Sequence, residues 1–170
     1  MPQEQFTDAI ALLKADHRKV EDLFGKFEKA SDAGRKWEIA RQICNELKIH
    51  AQIEEEIFYP ACESAVEEDL YREAFVEHDG AKILINDIVE TGGEGEFFEA
   101  KVKVLQEEIE HHVKEEEARG DGYFAQVRDS DVDLVALRDQ LMARKQELLA
   151  QVEAGGLPPA QLTAVDADAS

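Results

Sequence analysis

The chain has little that would staple, anchor or break it. Only two cysteines occur, Cys44 and Cys62, and they form neither a CxxC pair nor a disulfide framework. Two buried free thiols fit a reducing compartment, so the expected location is the cytoplasm. No apolar run is long enough to cross a bilayer, and Met1 to Asp8 has neither the basic start nor the apolar stretch of a signal peptide. Basic residues are scarce: 19 stand against 39 acidic ones, for a net charge of -20. Nucleic acid and anionic membrane surfaces would repel such a chain. Glycine and proline are few and clustered, which leaves long uninterrupted segments for helices.

Those segments carry apolar residues three and four apart, the period of an amphipathic helix. The first helix is expected from about Thr7 to Ala30, with Ile10, Leu13, Val20, Phe24 and Phe27 on its inner face. The second begins near Arg35 and carries Ile39, Ile43, Leu47 and Ile57, with Pro60 expected to kink or interrupt it. The third, about Leu70 to Glu90, shows Tyr71, Ala74, Ala81, Ile85 and Ile88. The fourth, about Glu96 to Ala118, shows Phe98, Val102, Leu105 and Ile109. Tyr123 and Phe124 are expected to fold back on the bundle. A fifth helix opens at Asp129-Ser130-Asp131 and carries Leu134, Leu137, Leu141, Leu148 and Val152. The pattern predicts an all-α protein, an up-down-up-down four-helix bundle with an additional C-terminal helix over residues 1–154. Residues 155–170, rich in Ala and Asp, read as a disordered acidic tail, with no output domain attached.

The seams are interrupted by polar residues at matching places. His17 fills the gap in the first stripe and His78 the gap in the third. His50 and Glu54 sit four apart on the second stripe, His112 and Glu116 four apart on the fourth. A shift of 62 lays the second helix on the fourth, and a shift of 61 lays the first on the third. The register selects His112 over His111, which lies about 100 degrees round the helix. A lone core histidine is more often a hydrogen-bonded packing residue, and a lone glutamate on a charged helix is usually solvated. Four histidines and two glutamates on four apolar stripes are another matter, because that much buried polarity needs a partner. A metal supplies it. Imidazole and carboxylate in a bundle suit iron, with manganese or zinc as alternatives. Six side chains suffice for two metals if the glutamates bridge. The Glu-x-x-His spacing of ferritin-type sites occurs only at Glu108 to His111, off the seam, so that architecture is excluded. Second-sphere carboxylates are expected at Glu46 and Glu108, one turn before His50 and His112, where they equally suit solvated helix faces. His111, Glu115 and Glu117 remain alternative or additional ligands. A dry pocket is expected from Phe24, Leu47, Phe58 and Ile109.

The run His50 to Pro60, the segment Glu77-His78-Asp79 and the segment His112 to Glu116 together resemble the hemerythrin-like, or HHE cation-binding, domain family over roughly residues 7–150. The resemblance implies a non-heme di-iron centre with His17, His50, Glu54, His78, His112 and Glu116 as ligands. It also implies, as partner, a small diatomic ligand such as dioxygen or nitric oxide, or peroxide. The chain departs from oxygen-carrying hemerythrins at Ala74, where they place another histidine, and in the short His112–Glu116 spacing. After Glu117, residues 118–124 intervene where relatives follow the last Glu with a short run ending Phe-Pro. The missing histidine leaves a coordination position open, which favours sensing or redox chemistry over reversible oxygen carriage. Three functions follow: binding or sensing small oxidants, removing peroxide with Tyr59 as a nearby phenol, and buffering iron.

Overall fold

In a computed structural model, which describes residues 5–166, every element of regular structure is helical. Helix α1 (Ala9–Lys29) is capped by Asp8, whose carboxylate accepts from the Ala11 amide. Asp32 caps α2 (Ala33–Ile53) in the same way through Arg35. Helices α3 (Glu68–Thr91) and α4 (Phe98–Glu117) form the second hairpin, closed by left-handed glycines beginning at Gly92. A short α5 (Tyr123–Arg128) and a long α6 (Leu134–Ala154) complete the fold. The region expected to hold one C-terminal helix therefore holds two, with Asp133 rather than Asp129 capping the longer one.

The core divides into two apolar clusters with the polar level between them. One contains Val20, Phe24, Phe27, Ile39, Ile43, Leu47, Ile85, Phe98, Val102 and Leu105, at the end where the hairpins turn. The other contains Ile10, Leu13, Ile53, Phe58, Tyr59, Tyr123, Phe124, Leu137, Leu141 and Leu148, where α5 and α6 seal the opposite end. Helix α6 packs on α1 and α2, and its Lys145 pairs with Asp16 of α1.

Pro60 interrupts the α-helical pattern, as expected, and does so by widening the turn before it. The helix continues through a π-helical segment, Glu54–Phe58, into one more α-helical turn, Tyr59–Cys62. In an α-helix the Pro60 ring would strike the Glu56 carbonyl, and its missing N–H would leave that carbonyl unpaired. The wider turn instead bonds the Tyr59 amide to the Glu54 carbonyl. That inserts one residue into the face. As a result Ile57, expected on the seam, is only half-buried, while Phe58 and Tyr59 are fully buried with Glu54.

The tail is the second departure. Residues 157–165, expected to be disordered, lie against the bundle and are bound to it by hydrogen bonds donated by Lys48 and Lys82 and accepted by Asn86 and Asp79. Backbone groups make most of these bonds, so the apolar pattern of the sequence carried no sign of them. The tail's remaining residues, 167–170, lie outside the described residues.

Gly122 joins α4 to α5 by close approach: a Cβ there would lie 2.3 Å from the Ala118 carbonyl oxygen and 2.9 Å from that of Glu115. Backbone cannot yield as a flexible side chain can. Gly122→Ala is therefore expected to destabilise the fold by about 1–3 kcal/mol, read as a lower urea midpoint with an unchanged slope.

Candidate metal centre

The four seam histidines and two seam glutamates meet at one level of the bundle, each no more than 7% exposed. His17 comes from α1, His50 from α2, Glu54 from the π turn, His78 from α3, and His112 and Glu116 from α4. The Nε2 atoms of His17 and His50 are 3.2 Å apart, and those of His78 and His112 are 3.1 Å apart. Glu54 Oε1 lies 2.9 Å from His50 Nε2 and 3.4 Å from His78 Nε2. Glu116 spans the other diagonal, with Oε1 2.8 Å from His112 Nε2 and Oε2 3.3 Å from His17 Nε2. Two overlapping groups result, Glu54/His78/His112/Glu116 and His17/His50/Glu116, and within each the ligand atoms all lie within 4.8 Å of one another.

These groups do not satisfy one another. Two imidazole nitrogens facing each other can share only one proton. Both oxygens of Glu54 and Oε2 of Glu116 are buried and lack a hydrogen-bond partner among the described residues; the short approaches from the imidazoles have the distance but not the alignment. Unpartnered buried carboxylates are costly. Positive charge at the convergence of the Nε2 and carboxylate atoms would satisfy all of them at once, so His17, His50, Glu54, His78, His112 and Glu116 fit a metal site and would hold it.

Each histidine is also held from behind. The Nδ1 atoms of His50, His78 and His112 lie 3.1, 2.9 and 3.2 Å from Asp16, Glu55 and Glu77, and His17 Nδ1 lies 3.5 Å from Glu117. A carboxylate on Nδ1 fixes the tautomer that leaves Nε2 free to bind a metal. Every one of these carboxylates is sequence-adjacent to a ligand: Asp16 and Glu77 precede His17 and His78, while Glu55 and Glu117 follow Glu54 and Glu116. They obey the same shifts of 61 and 62 that relate the ligands. That periodicity was the signal that could have found them. Glu46 and Glu108 do not take this role. Glu46 pairs with Lys19, and Glu108 is exposed.

Charge in the site is tightly coupled. Burial pushes the His50 imidazole down, but Glu54 and Asp16 overcome it and hold the group up to about 10. Burial pushes Asp16 up, yet His50 and Lys145 bring it to about 2. His17 and His112 are likewise held up against burial, chiefly by Glu116. Glu116 itself is held well below its usual value, against burial, by His112 and His17.

His112 points inward, whereas His111 is 65% exposed beside Glu77 and Glu115. Tyr59, read as a packing residue, enters the site because the π turn rotates it inward. Its hydroxyl donates to Glu116 Oε1 at 2.5 Å and lies 3.2 Å from both His78 and His112 Nε2. Ala74 is buried and offers no ligand. A cavity of about 30 Å³ adjoins the imidazoles, walled by Val20, Leu47, Ala81, Ile85, Ile109 and Val113. Phe24 and Phe58 pack in the two core clusters instead of lining it. Phe124 stacks on the His17 ring.

Four inward imidazoles with two carboxylates at mid-bundle define a metal-binding helical bundle. The model of the hemerythrin HHE cation-binding domain matches residues 8–119, and the chain belongs to that family. It superposes with a TM-score of 0.71 and 22% identity on a crystal structure of a hemerythrin HHE cation-binding domain-containing protein, an Rv2633c homolog from Mycobacterium kansasii; the match covers 89% of this chain and 95% of that one. It is 29% identical over 119 residues to a DNA nickase of Nostoc sp. (strain PCC 7120 / SAG 25.82 / UTEX 2576), a match spanning 70% of this chain but only 33% of the relative.

Three outcomes are expected. Glu54→Ala and Glu116→Ala should each cost one or both metals, read by elemental analysis; full retention in both would refute the ligand set. Asp16→Asn and Glu77→Gln should leave metal count intact but weaken affinity about 10–100-fold. Because the nearby carboxylates hold the metal-free imidazoles of His17, His50 and His112 above their usual value, metal loading should displace protons and weaken as pH falls. Proton uptake or release in weak buffer measures the sign.

Proposed function

We propose that this chain is a non-heme di-iron protein that binds or senses dioxygen, nitric oxide or a related small oxidant in the cavity beside the seam histidines. His17 and His50 would hold one iron and His78 and His112 the other, with Glu54 and Glu116 shared. Bound iron supplies redox chemistry and open positions for a small ligand. The observation that carries the reading is the cavity itself. About 30 Å³ with largely apolar walls has room for one diatomic or peroxide-sized molecule beside the imidazoles. The same dimension weighs against iron buffering through a mineral core. The charge of -20 argues against nucleic acid as a partner, and two free buried thiols favour the cytoplasm.

Tyr59 favours a second reading, removal of peroxide, in which two hydrogen peroxide molecules give two waters and one dioxygen. Its phenol is fully buried, and burial and the nearby Glu116 and Glu54 carboxylates keep it protonated. It can therefore hold a proton at the site and pass it along the bond to Glu116.

Oxidant assays separate the two. In the binding reading, the reduced iron-loaded protein changes its visible spectrum on nitric oxide or dioxygen, and peroxide turnover is negligible. In the peroxide reading, dioxygen evolves from peroxide and Tyr59→Phe slows it by about a hundredfold at unchanged metal content. No spectral change with either gas and no peroxide turnover would defeat both.

A further inference from the structure

The segment 157–165 forms a strap across the seam between α2 and α3. On α2, Lys48 Nζ donates to the Pro158 carbonyl at 3.2 Å. On α3, Asn86 exchanges two hydrogen bonds with Ala160, each 2.8 Å. Lys82 Nζ donates to the Gln161 carbonyl at 2.9 Å. The strap ends at Asp79, a fully buried carboxylate that accepts the backbone N–H groups of Thr163, Ala164 and Val165 at 2.9, 2.6 and 2.7 Å. Three amides on one carboxylate make a charge-assisted latch.

Three observations tie this strap to the buried centre. Asp79 directly follows His78. Thr163 Oγ1 donates to Glu55 Oε1 at 2.5 Å, and Glu55 Oε2 lies 2.9 Å from His78 Nδ1. Ala51 and Lys82 line both the small cavity at the imidazoles and a cavity of about 350 Å³ between the strap and α2, so the strap stands just outside the wall of the site. The internal repeat sharpens the point. Shifted back by 61, Asp79 falls on Arg18, and Arg18 pairs directly with Glu117, the counterpart of Glu55. On that side the carboxylate's outward partner is a side chain of the bundle, whereas on the α2–α3 side Glu55 is met both by Lys82 of α3 and by Thr163 of the strap.

We propose that the strap is a lid over the α2–α3 side of the metal centre, latched by Asp79, which controls exchange of metal ions and small oxidants with solvent. The inference rests on the reading that the seam residues hold metal. Opening needs only the strap's part-buried hydrogen bonds to Lys48, Lys82, Asn86 and Asp79, and its exposed one to Glu55, to break, while the bundle stays folded.

The test uses the full chain loaded with iron, a variant ending after Leu157, and Asn86→Ala, which removes two strap bonds far from any ligand. Iron extraction by a chelator in excess is timed in each, with elemental analysis and thermal unfolding alongside. The lid predicts equal metal content, closely similar unfolding, and extraction about tenfold faster in both variants. Wild-type extraction rates in both overturn it. If no form of the chain binds metal, the di-iron reading fails separately, and amide exchange on the metal-free protein decides the lid. Protection of the 163–165 amides that Asn86→Ala abolishes supports it; unprotected amides in the unaltered chain overturn it.

Discussion

Everything in this fold is arranged around the cost of burying two carboxylates and four imidazoles at one level of an apolar bundle. Glu54 and Glu116 are essentially without solvent, and their free oxygens face ring nitrogens that cannot all donate. Removing either member of such a set leaves an uncompensated charge in a medium of low dielectric. Positive charge at the centre, supplied by a bound cation, would resolve the conflict. The two apolar clusters above and below keep water from resolving it instead.

The same constraint explains the layer outside the ligands. Each imidazole is braced through Nδ1 by a carboxylate carried on a different helix from its own, apart from the pseudo-two-fold relation that pairs the braces. Asp16 braces His50 and is itself tied to Lys145 of α6, while Glu117 beside His17 is tied to Arg18. The cap helix and the surface ion pairs thus reach the centre through one intervening carboxylate. Stability and site geometry are not separable here.

Much of this was legible in the sequence because a helical bundle writes its inside with a fixed period. The four stripes, their histidines and the choice of His112 over His111 followed from spacing, and the family from the resemblance carried by three short segments, His50–Pro60, Glu77–Asp79 and His112–Glu116. Tyr59 did not, because the π turn imposed by Pro60 shifts the face by one residue and a uniform 3.6-residue period cannot see it. The bracing carboxylates were visible only as neighbours of ligands in an internal repeat, whereas Glu46 and Glu108 were chosen from a one-turn rule that their exposure and pairing do not obey. The strap was hidden for another reason. Its hold on Asp79 and Asn86 uses backbone groups, and an Ala-, Pro- and Asp-rich composition does not encode them.

The most direct test of the central claim is metal content, with the visible spectrum, of protein purified aerobically without added metal. About two irons per chain with charge-transfer absorption from a bridged pair is the predicted result. One zinc, or no metal in a chain that is folded and stable, would contradict it; the seam residues would then have to satisfy their charges by sharing protons alone.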